Sequence, residues 1–227
     1  MMTIRRKYWI YRNAIVLILI ISAFGCEKEN TPLPSGEVSD IDGNVYNTIE
    51  IGTQVWMVED LKVTTYNDGS SIPNITEKAE WQNNQTGAFC WFNNVEEWGA
   101  LYNWYAVNSG KLAPVGWHVA THDDWTTLTD YLGGEDIAGG KLKDTGSERW
   151  NSPNTGASNE SGFTALPGGS RLADGTFAYF GGGGYWWSST EFDTFNSYIR
   201  YIFWSGREIY RDHVDKRIGF SVRCVKN

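Results

Sequence analysis

Few residues of this chain could act as nucleophile, base or metal ligand. Its only histidines are His118, His122 and His213, and no Cys or His pair stands at the spacing of a metal finger. His118, between Trp117 and Val119, reads as a hydrogen-bonded structural residue, and His122, beside a helix cap, as a solvated one. There is no Gly-x-Ser-x-Gly elbow and no phosphate loop. Paired carboxylates can cut glycosidic bonds, and Asp123 with Asp124, or Glu191 with Asp193, are the candidate pairs; adjacent acids more often cap a helix or face water. The run Gly181 to Gly184 fits a close backbone approach or a sharp bend, since glycine tolerates both. No catalysis, cofactor or metal is therefore expected.

Recognition chemistry remains. Between residues 192 and 218 large rings alternate with short polar groups: Asp193, Phe195, Asn196, Tyr198, Tyr201, Phe203, Trp204, Arg207, Tyr210, Asp212, His213 and Asp215. Rigid rings give contact area at small entropic cost and polar neighbours adapt around them, which suits a surface that binds a glycan or a protein. Period-2 reasoning divides the rings, because Tyr201 and Phe203 share one strand face while Ile202 and Trp204 share the other. Ile202 and one ring set are expected in the core, with Asp193, Asn196, Arg207, Asp212 and His213 on display. The competing expectation is that all the rings are core and the protein is a structural envelope component.

The elements that must hold this stretch can be read in order. Asp42-Gly43-Asn44 is a turn, and Val45 to Ile51 with Val55 to Val58 is a β-hairpin across Gly52-Thr53-Gln54. Thr76 to Asn94 reads as an ordered loop packed by Trp81, Phe89, Trp91 and Phe92, and Glu96 to Val107 as a first helix. Trp117 to Ala120 is a short strand. Thr121 caps a second helix whose apolar stripe is Trp125, Leu128, Tyr131 and Leu132, ended by Gly133-Gly134. Residues 135 to 143 add a brief helical turn. Residues 144 to 184 are irregular, anchored by Trp150, Phe163, Leu166 and Phe177, with Asp174-Gly175 as a hairpin turn. Phe220 to Val225 alternates like a half-buried strand. The expected class is α+β with two helices, long irregular loops and a terminal antiparallel sheet.

The N-terminus sets the compartment. Arg5, Arg6, Lys7 and Arg12 precede an apolar run from Ala14 to Phe24, too short to span a bilayer but right for a signal peptide. Ala23-Phe24-Gly25-Cys26 resembles a lipobox, which would make Cys26 the lipidated first residue of the mature protein; a plain signal peptide is the alternative. The expected organisation is a leader over 1–25, a tether over 26–37 and one domain over 38–227. Loss of the leader's four cations takes the formal net charge from −8 to −12, which argues against nucleic acid as a partner. Cys90 and Cys224 are then the remaining cysteines. One disulfide, closing a long loop for about 4–5 kcal/mol, and two buried thiols are both open.

Six stretches together resemble the Fibrobacter succinogenes major paralogous domain: Asp42 to Tyr46, Ile51 to Met57, Leu101 to Val107, Gly116 to Val119, Tyr185 to Thr190 and Gly219 to Cys224. The resemblance covers nearly the whole mature chain. It implies the C-type-lectin-like fold shared with formylglycine-generating enzymes and with the variable proteins of diversity-generating retroelements. By that analogy Trp186, Trp187, Ser188, Ser189, Arg200, Arg211, Gly219, Phe220 and Arg223 would be a constant frame around the ligand-binding positions given above. Formylglycine-generating chemistry would need thiols poised near the C-terminus, where Cys224 stands alone. Many relatives carry a cysteine where this chain has Ala113, which leaves a partner for Cys90 in question. Glu27-Lys28-Glu29 after Cys26 resembles the export signal of surface lipoproteins in Bacteroidetes, implying the outer face of a Gram-negative outer membrane. The function implied is a lipid-anchored surface receptor or adhesin, and the alternative is a non-binding envelope lipoprotein.

Overall fold

The computed structural model describes residues 36–96, 99–146 and 148–227. The leader, Cys26 and the tether up to residue 35 lie outside them. Strands β1 (Gly36–Ser39), β2 (Val45–Ile51) and β3 (Gln54–Met57) form an antiparallel meander. At the first turn the Asp40 carboxylate accepts from the backbone N–H of Asp42 and Asn44, each at 3.0 Å, and from Tyr46 Oη at 2.6 Å. Gly36 and Glu37, expected outside the domain, pair with Thr48 and Asn47.

The chain then makes α1 (Lys78–Asn83), β4 (Phe89–Trp91), β5 (Ala100–Tyr102), α2 (Trp104–Val107), β6 (Trp117–Val119), α3 (His122–Tyr131) and α4 (Glu135–Leu142). The short strands β7 (Ser170–Arg171) and β8 (Phe177–Ala178) follow, then β9 (Gly183–Glu191), β10 (Asn196–Phe203), β11 (Tyr210–Asp215) and β12 (Cys224–Lys226). The last strand inserts between β3 and β6 to complete a five-stranded sheet, β1-β2-β3-β12-β6. A separate three-stranded sheet runs β11-β10-β9, and β4-β5 and β7-β8 are small two-stranded pairs. The class is α+β, with antiparallel sheets and short helices.

Three expectations are corrected. The helix expected over 96–107 survives only as the single turn α2, because Cys90 pairs with Leu101 and Phe89 with Tyr102. Asn103 fixes the switch: its Oδ1 accepts from Ala88 N–H at 3.0 Å and from Ala106 N–H at 3.1 Å, capping a helix that can start only at Trp104. The aromatic loop over 76–94 contains α1 and β4, and Trp81 is buried in the former. Phe220 to Val225 is buried on both faces, Ser221 and Arg223 included. Its backbone runs between the sheets, with Phe220 bridged to Tyr102 and Ser221 to Trp186.

The hairpin, the strand at 117, the Asp174-Gly175 turn and helix α3 stand as expected. Thr121 and Asp124 form a reciprocal capping box at the start of α3. Tyr131, assigned to the apolar stripe, is instead 64% exposed and lies over Gly52, whose absent Cβ would be 2.9 Å from the ring.

Two large core clusters flank the C-terminal segment. One gathers Tyr46, Met57, Tyr102, Trp104, Trp187 and Phe220; the other gathers Trp56, Trp125, Trp150, Phe163, Trp186 and Ile202. A buried ion pair ties them together. Arg223 Nε donates to Asp60 Oδ1, which also accepts from Trp186 Nε1 at 2.8 Å, while Arg223 Nη1 donates to the carbonyls of Met57 and Phe163, both at 2.9 Å. Cys90 and Cys224 are both buried and free, the first in a third cluster around Trp81 and the second in the first. Both thiols are unbridged in this structure.

Candidate ligand-binding surface

The three-stranded sheet carries eight of the twelve residues proposed for recognition and its two connecting turns carry the other four, and its two ends are tied down by buried ammonium groups. Lys216 Nζ donates to Glu191 Oε1, to Asp193 O at 2.7 Å and to Thr194 O at 2.9 Å, fixing the β9–β10 hairpin tip. At the opposite end Lys143, fully buried, donates to the carbonyls of Thr155 (2.8 Å), Phe203 (3.2 Å) and Gly206 (2.7 Å). Burial lowers the Lys143 pKa to about 8, with Glu208 acting in the opposite direction. Helix α4 supports the same turn through Gly139 and Gly140, because Gly140 N–H donates to Arg207 O at 2.8 Å. A Cβ at Gly139 would stand 2.2 Å from Glu208 O. Gly183 and Gly184 likewise allow the close approach anticipated for the glycine run, with Leu166 O at 2.7 Å from where a Gly184 Cβ would be.

Strand register divides the recognition residues between two faces. Tyr201 pairs with Tyr185 on one side and Tyr210 on the other, and the three rings form a stacked row at centroid distances of 5.7 and 5.1 Å. Phe203 stands edge-on to Tyr201 at 5.4 Å. Exposure rises along the row, from buried Tyr185 through half-buried Tyr201 to exposed Tyr210. On the opposite face Tyr198 pairs with His213, and Arg200 with Arg211. Trp204 is half-buried against the second core cluster, and Ile202 is fully buried, as period-2 reasoning required.

The polar positions are less uniformly free than expected. Asp193 accepts at Oδ1 from the N–H of Phe195 and Asn196, both at 2.7 Å, and so shapes the hairpin tip on which Phe195 stands 76% exposed. Asp215 is bound by Arg217 at 2.5 Å. Arg207, Asp212 and His213 are exposed. The recognition set is therefore one sheet with two faces and two ends.

Two residues missed in the sequence join it. Arg211, placed in the constant frame, is exposed and forms an ion pair with Glu135 at 3.1 Å. His122, expected to be solvated, is half-buried with its ring 4.3 Å from that of Tyr198. Together with Tyr198, Asp212 and His213 they line a cleft of about 280 Å³ between the start of α3 and the β10–β11 pair. No sequence signal links position 122 to position 198, because their meeting depends on how α3 docks.

Three of the four candidate catalytic acids are bound by structural partners, and Asp123 is exposed. Asp124 caps α3 and accepts from His118 Nε2 at 2.9 Å. Burial would raise its pKa, yet the bonds from His118 and Thr121 bring it down to about 2. His118 is correspondingly raised, chiefly by Asp124 and with help from Asn227. It is the structural histidine anticipated. Glu191 is held by Lys216 and Asp193 by the hairpin backbone. Among the described residues no three His, Cys, Asp or Glu side chains group as metal ligands, and no helix is long and apolar enough to cross a membrane.

No curated protein and no solved structure matches this chain. The model of the Fibrobacter succinogenes major domain does match, over residues 49–226. That span takes in the hairpin's inner strand, all four helices, the three-stranded sheet and the closing β12, and on that footing the chain belongs to the Fibrobacter succinogenes major domain family.

Proposed function

We propose that this is an exported, lipid-anchored ligand-binding protein that recognises a glycan or a protein through the β9–β10–β11 sheet and carries out no chemistry. The observation that carries the reading is the combination, on one sheet, of a cross-strand row of rings ending in exposed Tyr210 with an edge strand whose first four residues are all exposed. Both ends of this sheet are held by buried lysines, so the surface is organised before any ligand arrives. Preorganised rings surrounded by polar groups lose little entropy on binding. The proposed C-type-lectin-like architecture is supported by the mixed helices and antiparallel sheets. Anchoring through Cys26 at the outer membrane, with display on the cell surface, rests on the leader and the residues around that cysteine. A constant scaffold with changeable positions on β10 and β11 would also suit a retroelement-diversified receptor.

The test is a glycan and protein array probed with the full chain in detergent. Tyr210→Ala and Arg207→Ala are expected to weaken any hit by about 10-fold or more, a loss of roughly 1.4 kcal/mol each. Tyr131→Ala, an exposed ring on another element, is expected to have no effect. A hit insensitive to the sheet variants, or no hit at all, would leave the structural envelope role as the better account.

A further inference from the structure

The cleft between α3 and the β10–β11 pair is lined by His122, Tyr198, Arg211, Asp212 and His213. Arg200, the cross-strand partner of Arg211, is 3% exposed and does not itself line the cleft. Its guanidinium donates to Ile199 O at 3.1 Å and Thr126 Oγ1 at 3.2 Å, and among the described residues no carboxylate lies within ion-pair distance of it. Burial and Arg211 lower its pKa to about 10 against the opposing pull of Glu135. The outward neighbour, Arg211, is held at its Nε by Glu135.

The histidine between them supplies a further donor. Arg200 Nη1 lies 3.4 Å from His122 Nδ1, and a guanidinium can only donate, so Nδ1 must accept and the neutral ring carries its proton on Nε2. Burial lowers the His122 pKa, and Arg200 and Arg211 lower it further against the opposing pull of Asp123. The groups around His122 are then Arg200 and Tyr198 from β10, Arg211, Asp212 and His213 from β11, Asp123 on its own helix and Thr190, whose hydroxyl accepts from His122 N–H at 3.0 Å. The cleft's one lining carboxylate, Asp212, already accepts from His213 N–H at 2.8 Å. Donors dominate.

The walls are aromatic. Phe192 stacks on His213 at 3.7 Å and meets Tyr198 edge-on at 5.2 Å, and Tyr198 in turn faces His122. At about 280 Å³ the cleft sits at the small end of ligand sites, room for one residue of a chain. Flat ring walls suit the C–H face of a sugar, while the donors at the base suit an anion.

We infer that this cleft binds the carboxylate of an acidic saccharide, a uronate-type sugar, with Arg211 and His122 as the carboxylate donors. This rests on the binding role proposed for the sheet. A bound carboxylate would offset the charges of Arg200 and Arg211 that help to hold the His122 pKa down, so binding should raise that pKa and affinity should rise as pH falls.

The experiment is calorimetric titration of the full chain with trigalacturonate, with its neutral methyl ester and with a triglutamate peptide, between pH 5 and 8. Trigalacturonate is expected to bind, the ester and the peptide at least about 10-fold more weakly. Arg211→Met and His122→Phe are each expected to cost about 10- to 100-fold, the range for bonds to a charged group. His122→Phe should also flatten the pH dependence, while Tyr131→Ala, an exposed ring outside the sheet, should leave trigalacturonate binding unchanged. Equal binding of acid and ester, equal binding of triglutamate, indifference to Arg211→Met, or no binding of trigalacturonate would each overturn the inference. If other ligands still bind in a way that depends on Tyr210, the recognition role of the sheet survives; if nothing on the array binds either, both readings fail.

Discussion

Helix α4 offers a direct test of how the recognition sheet is held, because two opposing effects of known size meet at Gly139. In an exposed helix interior, Gly→Ala stabilises by about 1 kcal/mol. Gly139 is fully buried at the contact between α4 and the β10–β11 turn, and an added Cβ would lie 2.2 Å from Glu208 O and 2.9 Å from Arg207 O. Those are backbone atoms, so the turn as a whole must retreat by roughly 1 Å, given that carbon–oxygen contacts of this kind settle nearer 3.3 Å or more. That retreat strains the bond from Gly140 N–H to Arg207 O at 2.8 Å and the bond from Lys143 Nζ to Gly206 O at 2.7 Å. Overpacking costs about 1–3 kcal/mol and a lost buried hydrogen bond another 1–3 kcal/mol. After the helical gain is subtracted, Gly139→Ala is expected to destabilise by about 1–5 kcal/mol. For a domain of this length that lowers the melting temperature by roughly 2–20 °C. Urea unfolding followed by tryptophan fluorescence would show a lower midpoint with an unchanged slope. A variant as stable as the parent, or more stable, would refute the claim that α4 and the turn are in direct backbone contact.

Four further outcomes are expected. Arg223→Met leaves Asp60 buried without its cation and should cost about 3–5 kcal/mol; the double variant with Asp60→Asn should recover part of that loss in the same unfolding assay. His118 is raised by its bond to Asp124, so its contribution to stability is complete below pH 6.5 and disappears as pH rises through the higher folded value. His118→Gln should therefore lose stability at pH 5.5 but little at pH 9 in parallel melts. Asp124, lowered to about 2, contributes above its unfolded value and loses that contribution as pH falls from about 4 toward 2, a dependence that Asp124→Asn should remove. Cys90 and Cys224, whose thiol pKa values are both raised by burial, should resist alkylation at pH 8 in the native protein and react only in denaturant. Recovery of a disulfide-linked peptide carrying both cysteines would contradict the fold.

Local chemistry was legible wherever it did not depend on docking. Thr121-His122-Asp123-Asp124 announced a capped helix, and Asp42-Gly43 and Asp174-Gly175 announced their turns, because capping and turn formation involve neighbours in the chain. Ile202 was placed in the core by period alone. The helix over 96–107 failed because Leu101, Trp104 and Tyr105 stand at helical spacing while the pairing of Leu101 with Cys90 is invisible from either stretch. Tyr131 failed in the opposite sense, since an apolar stripe cannot reveal that its last ring would cover a glycine turn. The half-buried pattern of Phe220 to Val225 missed Arg223, because a buried arginine looks polar until Asp60 and the carbonyls of Met57 and Phe163 are brought to it.

By itself the sequence determined the family, the α+β class, the acidic charge and the stretch of chain in which rings and polar groups alternate, since each of these is carried by composition, motif or local period. Only the tertiary structure decided which of those groups meet. It set Tyr201 and Tyr210 on one face and Tyr198 and His213 on the other, and it brought His122 and Arg211 into one cleft. It also kept the two cysteines in separate clusters. The reason is physical: register and helix docking are fixed by burial of the whole core, and contacts between residues far apart in the chain leave no periodic trace in it.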